Sequence, residues 1–345
     1  MEKSVLKTDL ALFDFRSFDI RTLDVESEAL AGNPLGDPSL RRNPVLVPKG
    51  SRPSSSGWPV VLMLSGFTGN GWSAFYKKPF ELTTAEILDR AVAIGEAPLA
   101  IYVFCDAMTA WGGSQFIDSA AMGNYETYVS RDLVTAVKTK LPATHDVSRW
   151  CVMGGSSGGY GALHLASSHP ELFGVVVAIA PDSFFEASLL GEIRTALPVI
   201  EKLGAVAGVK EELKSGRLAK RKDWHVVLNA VAMGLCYSGD ASGSVEWPVD
   251  SRSGNVETRE WARWLEHDPL VFLPKRSVNV AKWKACLLDV GTRDQFHLQY
   301  GTRQLADSLT ETLGDRLSST EFDGTHFDIG ERRADAWKWL TSRLV

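Results

Sequence analysis

Short apolar runs alternate along the chain with stretches of helical periodicity. Near-continuous apolar runs fall at 59–64, 99–104, 149–153, 174–179 and 285–290, with Arg149 and Asp289 their charged members. A run apolar at nearly every position suits a strand covered on both faces rather than one half open to water. A further strand is expected at 318–322, and weaker alternation at 14–25 and at Pro44–Pro48 reads as edge strands. Between the strands, helical spacing is predicted at 84–94, 158–167, 297–313 and 330–343. At 125–141, Tyr128, Leu133, Val134, Val137 and Leu141 fall on one side of a predicted helix. Turn-rich loops are expected at 33–38 and 51–57. Strands alternating with helices argue for an α/β fold, a mostly parallel central sheet with helices on both faces.

Residues 183–284 interrupt this rhythm. Helical patterns at 189–209 and 225–235 lead into a polar Gly/Ser-rich stretch at 238–254, and Trp247, Trp261 and Trp264 supply bulky apolar surface. The segment reads as a cap or lid inserted into one core. The expected division is core at 1–182, insertion at 183–284, and core again at 285–345.

In open α/β sheets, sites form at the carboxyl ends of strands. Candidate chemistry sits there repeatedly. Residues 149–163 run from an apolar strand through Gly154-Gly155-Ser156-Ser157-Gly158-Gly159 into a small-residue helix. This is the sequence form of a nucleophile elbow, a strained turn that lifts a serine hydroxyl above the sheet. Two registers fit, with Ser156 or Ser157 as nucleophile. Strain favours Ser156, because the turn should follow directly on the strand, and Ser157 then offers its backbone N–H to an oxyanion at a helix start.

A serine nucleophile needs a base, an acid that orients the base, and oxyanion donors. The base candidate is His326, after the strand 318–322 and before the last helix; His297 is the runner-up. The acid candidate is Asp294, on the loop past the strand 285–290. Asp289 lies within that strand, and Asp323 and Asp328 flank His326 closely. The loop Ser65-Gly66-Phe67-Thr68 after the strand 59–64 should supply a second donor, the N–H of Phe67. Trp72, Trp111 and Tyr160 are candidates for an apolar substrate pocket.

Composition removes other readings. The chain is 44% apolar and 23% charged, with a net charge of −5. That balance gives no electrostatic reason to expect nucleic acid or an anionic membrane. No run approaches the ~20 apolar residues of a membrane span. The first ten residues lack a leader's apolar core, so a cytoplasmic location is expected. Cys105, Cys151, Cys236 and Cys286 are widely spaced and read as buried free thiols. The seven histidines form no ligand spacing, so neither metal nor other cofactor is expected. The expected partner is a small-molecule ester, with a homo-oligomer possible.

Taken together, these motifs resemble the esterase D family of α/β-hydrolases, which includes S-formylglutathione hydrolases, feruloyl-type esterases and mycolyltransferases. The likeness rests on Leu64-Ser65-Gly66-Phe67-Thr68, on 124–129, on 154–163, on Gly291-Thr292-Arg293-Asp294-Gln295-Phe296 and on Gly324-Thr325-His326, with 33–38 similar to an N-terminal segment of some members. It implies an α/β-hydrolase fold and a carboxylic-ester hydrolase with Ser156, Asp294 and His326 in its triad. It also settles the register on Ser156. Two departures set it apart from S-formylglutathione hydrolases: Gly155 stands where histidine is common, and 183–284 is longer. A thioesterase or an acyltransferase would use the same triad.

Overall fold

The apolar runs become the strands of one eight-stranded sheet. In the computed structural model, residues 13–50 and 56–344 are described. The first ten residues, read above for a leader, and most of the loop expected at 51–57 lie outside them. The strands are β1 (Phe18–Glu26), β2 (Leu40–Pro48), β3 (Val60–Leu64) and β4 (Ile101–Phe104). A two-stranded ribbon follows, β5 (Asp118–Ser119) with β6 (Gly123–Asn124). Then come β7 (Trp150–Gly155), β8 (Val175–Ile179), β9 (Ala285–Gly291) and β10 (Leu317–Phe322). The order across the main sheet is β1-β2-β4-β3-β7-β8-β9-β10. Within that sheet β1–β2 and β2–β4 pair antiparallel and the remaining pairs are parallel; the β5–β6 ribbon is antiparallel.

The strand period divides the core in two. Val60, Leu62, Leu64, Val152 and Val176 share one apolar cluster, while Val61, Met63, Cys151, Met153 and Val175 share the other. Each such side chain, fully buried, contributes roughly 1.5–3 kcal/mol of transfer free energy. Helix α1 (Thr84–Ala93), whose Thr83 and Glu86 form a capping box, covers the second cluster. The C-terminal α13 (Arg332–Leu340) joins it through Trp337 and Leu340. On the other face lie α2 (Tyr125–Thr127), a π-helical turn at Tyr128–Leu133 and α3 (Val134–Lys140). The amphipathic stretch expected at 125–141 is therefore one rod with a widened turn in it. That face is completed by α4 (Ser157–Ser168) and α12 (Leu298–Leu313).

The segment between β8 and β9, expected as an insertion, is helical. It comprises α5 (Phe185–Ser188), α6 (Leu190–Leu203), α7 (Ala205–Lys214), α8 (Trp224–Ser238), α9 (Thr258–Leu265), α10 (Pro269–Lys275) and α11 (Ser277–Val280). The single helix expected at 189–209 is broken, because Gly204 caps α6 in the left-handed conformation at φ 94°. Ile193, Leu197, Val231 and Trp264 belong to the same apolar cluster as Val152 and Tyr160, so insertion and core are packed as one body. Trp247 lies against Gly234, where an added Cβ would meet its ring at 3.0 Å.

Cys105, Cys151, Cys236 and Cys286 are buried free thiols. Burial pushes all four thiols up, that of Cys286 to about 12. Among the described residues, no helix is long and apolar enough to cross a membrane, and no cluster of side chains could hold a metal ion.

Candidate active site

Strand β7 ends in the middle of the sheet, between β3 and β8, and the chain turns there into α4. At the turn Ser156 has φ 56° and ψ −127°, a conformation that costs a non-glycine residue of order 1–3 kcal/mol. Its N–H donates to the carbonyl of Ile179 at 2.9 Å, which ties the turn to β8. Glycines make the turn possible. A Cβ on Gly154 would sit 2.4 Å from the backbone of Gly158, and one on Gly158 would sit 2.5 Å from the Leu64 carbonyl oxygen. The loop after β3 runs beside the turn: a Cβ on Gly66 would stand 3.7 Å from that of Ser156. As the first residue of α4, Ser157 has no intrahelical acceptor for its N–H.

Two loops meet beyond the ends of β9 and β10. The N–H groups of Thr292 and Arg293 donate to the carbonyls of Phe322 and Gly324, each at 2.9 Å. His326 N–H donates to Gln295 Oε1 at 2.8 Å. This lacing holds His326 Nδ1 2.7 Å from Asp294 Oδ2, while Asp294 Oδ1 accepts the N–H of Phe296 at 2.9 Å. Both side chains are buried. The rival acids have other partners: Asp289 takes Thr320 and Arg332, Asp323 pairs with Arg293, and Asp328 caps Thr325. His297 is the left-handed residue before α12 and stacks on Tyr300.

Ser156 and His326 line one cavity of about 380 Å³. The loop after β3 gives it Gly66, Phe67 and Thr68; the insertion gives it Ser188, Leu189, Glu192, His225 and Asn229. Ring contacts run along its wall, from Phe67 to His225 at 6.4 Å, to Phe296 at 5.8 Å, to His326 at 4.8 Å between centroids. Burial and the neighbouring His326 hold the His225 imidazole below its usual range.

A carboxylate lies beside the serine. Asp182 Oδ1 is 3.4 Å from Ser156 Oγ, and Asp182 Oδ2 accepts Ser157 Oγ–H and Gln115 Nε2–H, each at 3.0 Å. Burial raises the Asp182 carboxyl above its ordinary range, against the pull of those hydrogen bonds. Glu192 is raised by burial too, and accepts from Asn229 Nδ2 at 2.6 Å. Asp182 follows β8 directly, at the same kind of strand end that singles out Ser156 and Asp294 in sequence. That rule, extended to the strand 174–179, would have found it.

The pocket candidates need correction. Trp72, Trp111 and Tyr160 do not line the cavity. Trp72 belongs to a 3-10 turn at Gly71–Phe75, capped by Asn70, and leans on Phe75. Trp111 is buried in the core. Tyr160 points from α4 into the interior, stacked on His164 and Phe185.

A family model described as "Putative esterase" matches residues 41–326. The fold resembles a solved ferulic acid esterase (TM-score 0.59, 16% identity, covering 96% of this chain and 100% of that one). It also resembles an S-formylglutathione hydrolase from Staphylococcus aureus (TM-score 0.55, 13% identity, covering 94% and 99%). A third likeness is to MPT51 from Mycobacterium tuberculosis (TM-score 0.56, 14% identity, covering 94% and 97%). At such identities these likenesses speak for the α/β-hydrolase fold alone. No curated protein sequence matches the chain significantly.

Proposed function

The chain belongs to the Esterase family, and from that premise we propose that it hydrolyses carboxylic esters through an acyl-enzyme on Ser156. The observation that carries this reading is the Asp294–His326 hydrogen bond of 2.7 Å, made in the wall of the cavity that contains the strained Ser156.

Ser156 Oγ attacks the ester carbonyl and its proton passes to His326. Asp294 keeps the imidazole in the right tautomer and stabilises the imidazolium. His326 then protonates the leaving alcohol. Water, deprotonated by the same imidazole, releases the acid. The N–H groups of Phe67 and Ser157 hold the oxyanion, and losing one such donor costs about 3–4 kcal/mol of barrier. Before attack, Oγ exchanges its contact with Asp182 for His326 Nε2. The apolar stretch from Phe67 through Phe296 to the exposed Phe327 faces an acyl or aryl group. No cofactor enters any step.

The test is a panel of p-nitrophenyl esters of increasing chain length, with S-formylglutathione, on wild type, Ser156→Ala and Ser157→Ala. Activity lost in Ser156→Ala supports the reading. Full activity in Ser156→Ala with loss in Ser157→Ala moves the nucleophile to Ser157. No ester turnover by wild type overturns it. An added alcohol that diverts the acyl group into a new ester identifies a transferase with the same residues.

A further inference from the structure

Two arginines open α13, at the end of a helix where positive charge is disfavoured. Arg332 is compensated. Its Nε donates to Asp289 at 2.7 Å, its Nη1 pairs with Asp335, and its guanidinium lies 4.9 Å from the Phe322 ring centre. Arg333 has no such support. Among the described residues its guanidinium makes no hydrogen bond and no ion pair, and burial lowers its pKa with no carboxylate to offset it. Arg333 is only partly buried and none of its nitrogens is sealed from solvent, so its five N–H donors stand open to an acceptor from outside the chain.

The position of Arg333 shows where acceptors would come from. It lines the cavity of Ser156 and His326. It also walls a smaller cavity of about 80 Å³ behind the loop after β3, with Ser65, Asn70, Ser73 and Thr84 around it. The two carboxylates of the main cavity are engaged elsewhere, Asp182 with Ser157 and Gln115 and Glu192 with Asn229.

We propose that Arg333 is an anion-binding residue of the active-site cavity, and that the preferred ester carries an acidic group, a carboxylate or a phosphate, on the part lying towards α13. The inference rests on the ester-hydrolase reading of Ser156. A planar guanidinium fork accepts either anion in a bidentate mode. Asp182 and Glu192, at the β8 end and on α6, give the same cavity an acidic side. The substrate's charge therefore orients it.

The test uses esters matched in shape. Methyl 4-acetoxybenzoate is neutral, 4-acetoxybenzoate carries a carboxylate, and 4-acetoxyphenyl phosphate carries a phosphate, all on the leaving group. 4-Nitrophenyl 4-methylbenzoate and the mono-4-nitrophenyl ester of terephthalic acid form the acyl-side pair. In wild type, kcat/KM for at least one anionic ester exceeds that of its neutral partner by about tenfold, the scale of one charge-assisted hydrogen bond. In Arg333→Gln that ratio falls to about one, mainly through KM, and Arg333→Lys recovers part of it. The favoured ester tells carboxylate from phosphate. A ratio near one for every pair in wild type, or a ratio kept in Arg333→Gln, overturns the proposal while the hydrolase reading stands. Calorimetry of benzoate and phenyl phosphate with Ser156→Ala and with Ser156→Ala/Arg333→Gln separates the reverse case. Arg333-dependent binding without turnover of any ester by wild type upholds the anion site and removes the hydrolase reading.

Discussion

The two walls of the cavity are built from different materials. The wall carrying Ser156 is made of backbone. Gly154 and Gly158 have no room for a methyl group, and the serine is held at positive φ between β7 and α4. The facing wall, from the insertion, is made of side chains on helices: Glu192 on α6, His225 and Asn229 on α8. Backbone holds the Ser156 hydroxyl in place, and side chains on the facing helices can be exchanged without disturbing it. On the proposed reading, the chemistry is set by the part that cannot vary, and selectivity by the part that can. Substitutions on the first wall should lower kcat or unfold the protein, and those on the second should move KM.

The largest effect sharpens this contrast. Ser156→Ala should lower kcat by about five to six orders of magnitude, and Asp294→Asn by about four. Ser157→Ala keeps the backbone donor and should lose far less; stopped-flow or steady-state rates on one p-nitrophenyl ester rank the three. Next, Gly158→Ala should destabilise the protein by about 3 kcal/mol, because its Cβ would press on the carbonyl oxygens of Leu64 and Ser65. Denaturant melts measure this, and a loss below about 1 kcal/mol would mean that the elbow yields more than its packing implies.

Asp182 gives a pH-dependent comparison. Its carboxyl is raised by burial above the ordinary 3.8. The ionised form is therefore penalised in the folded state. That penalty is absent below the unfolded value, grows as pH climbs through the folded one, and is complete above it. Asp182→Asn should accordingly melt higher than wild type at neutral pH, and the gap should close on acidification towards pH 3.8. A gap independent of pH would assign the effect to packing. The smallest effect is expected in the segment between β8 and β9: Gly204→Ala, at φ 94° with only an ordinary 3.9 Å contact to the Gly208 backbone for its Cβ, should cost about 1 kcal/mol with little change in kcat.

The sheet was legible because its central strands are apolar at nearly every position, a pattern few other elements produce. Ser156, Asp294 and His326 could be singled out because each follows a predicted strand, even though β10 before His326 is largely polar, so chain order alone places them at one end of the sheet. Asp182 obeys the same rule but carries no further signal, since a lone Asp after Pro181 matches no chemical motif. The aromatic candidates failed for a different reason. Trp72, Trp111 and Tyr160 lie near the right strand ends, but periodicity does not report which way a loop or a helix start turns its side chains. Glu192, His225 and Asn229 were hidden because helical spacing reveals a buried face without naming what it faces. The break at Gly204 and the π-helical turn at Tyr128–Leu133 are decided by tertiary packing, which a local pattern does not contain.

The sealed thiols give the molecule an internal clock. Cys105, Cys151, Cys236 and Cys286 lie in the interior with their thiolates suppressed, so a maleimide added to the native protein finds nothing to modify among them. Their labelling rate then counts how often the core opens. One cysteine introduced at exposed Phe327, on the cavity rim, would be a unique attachment point for a fluorophore that watches ligands come and go.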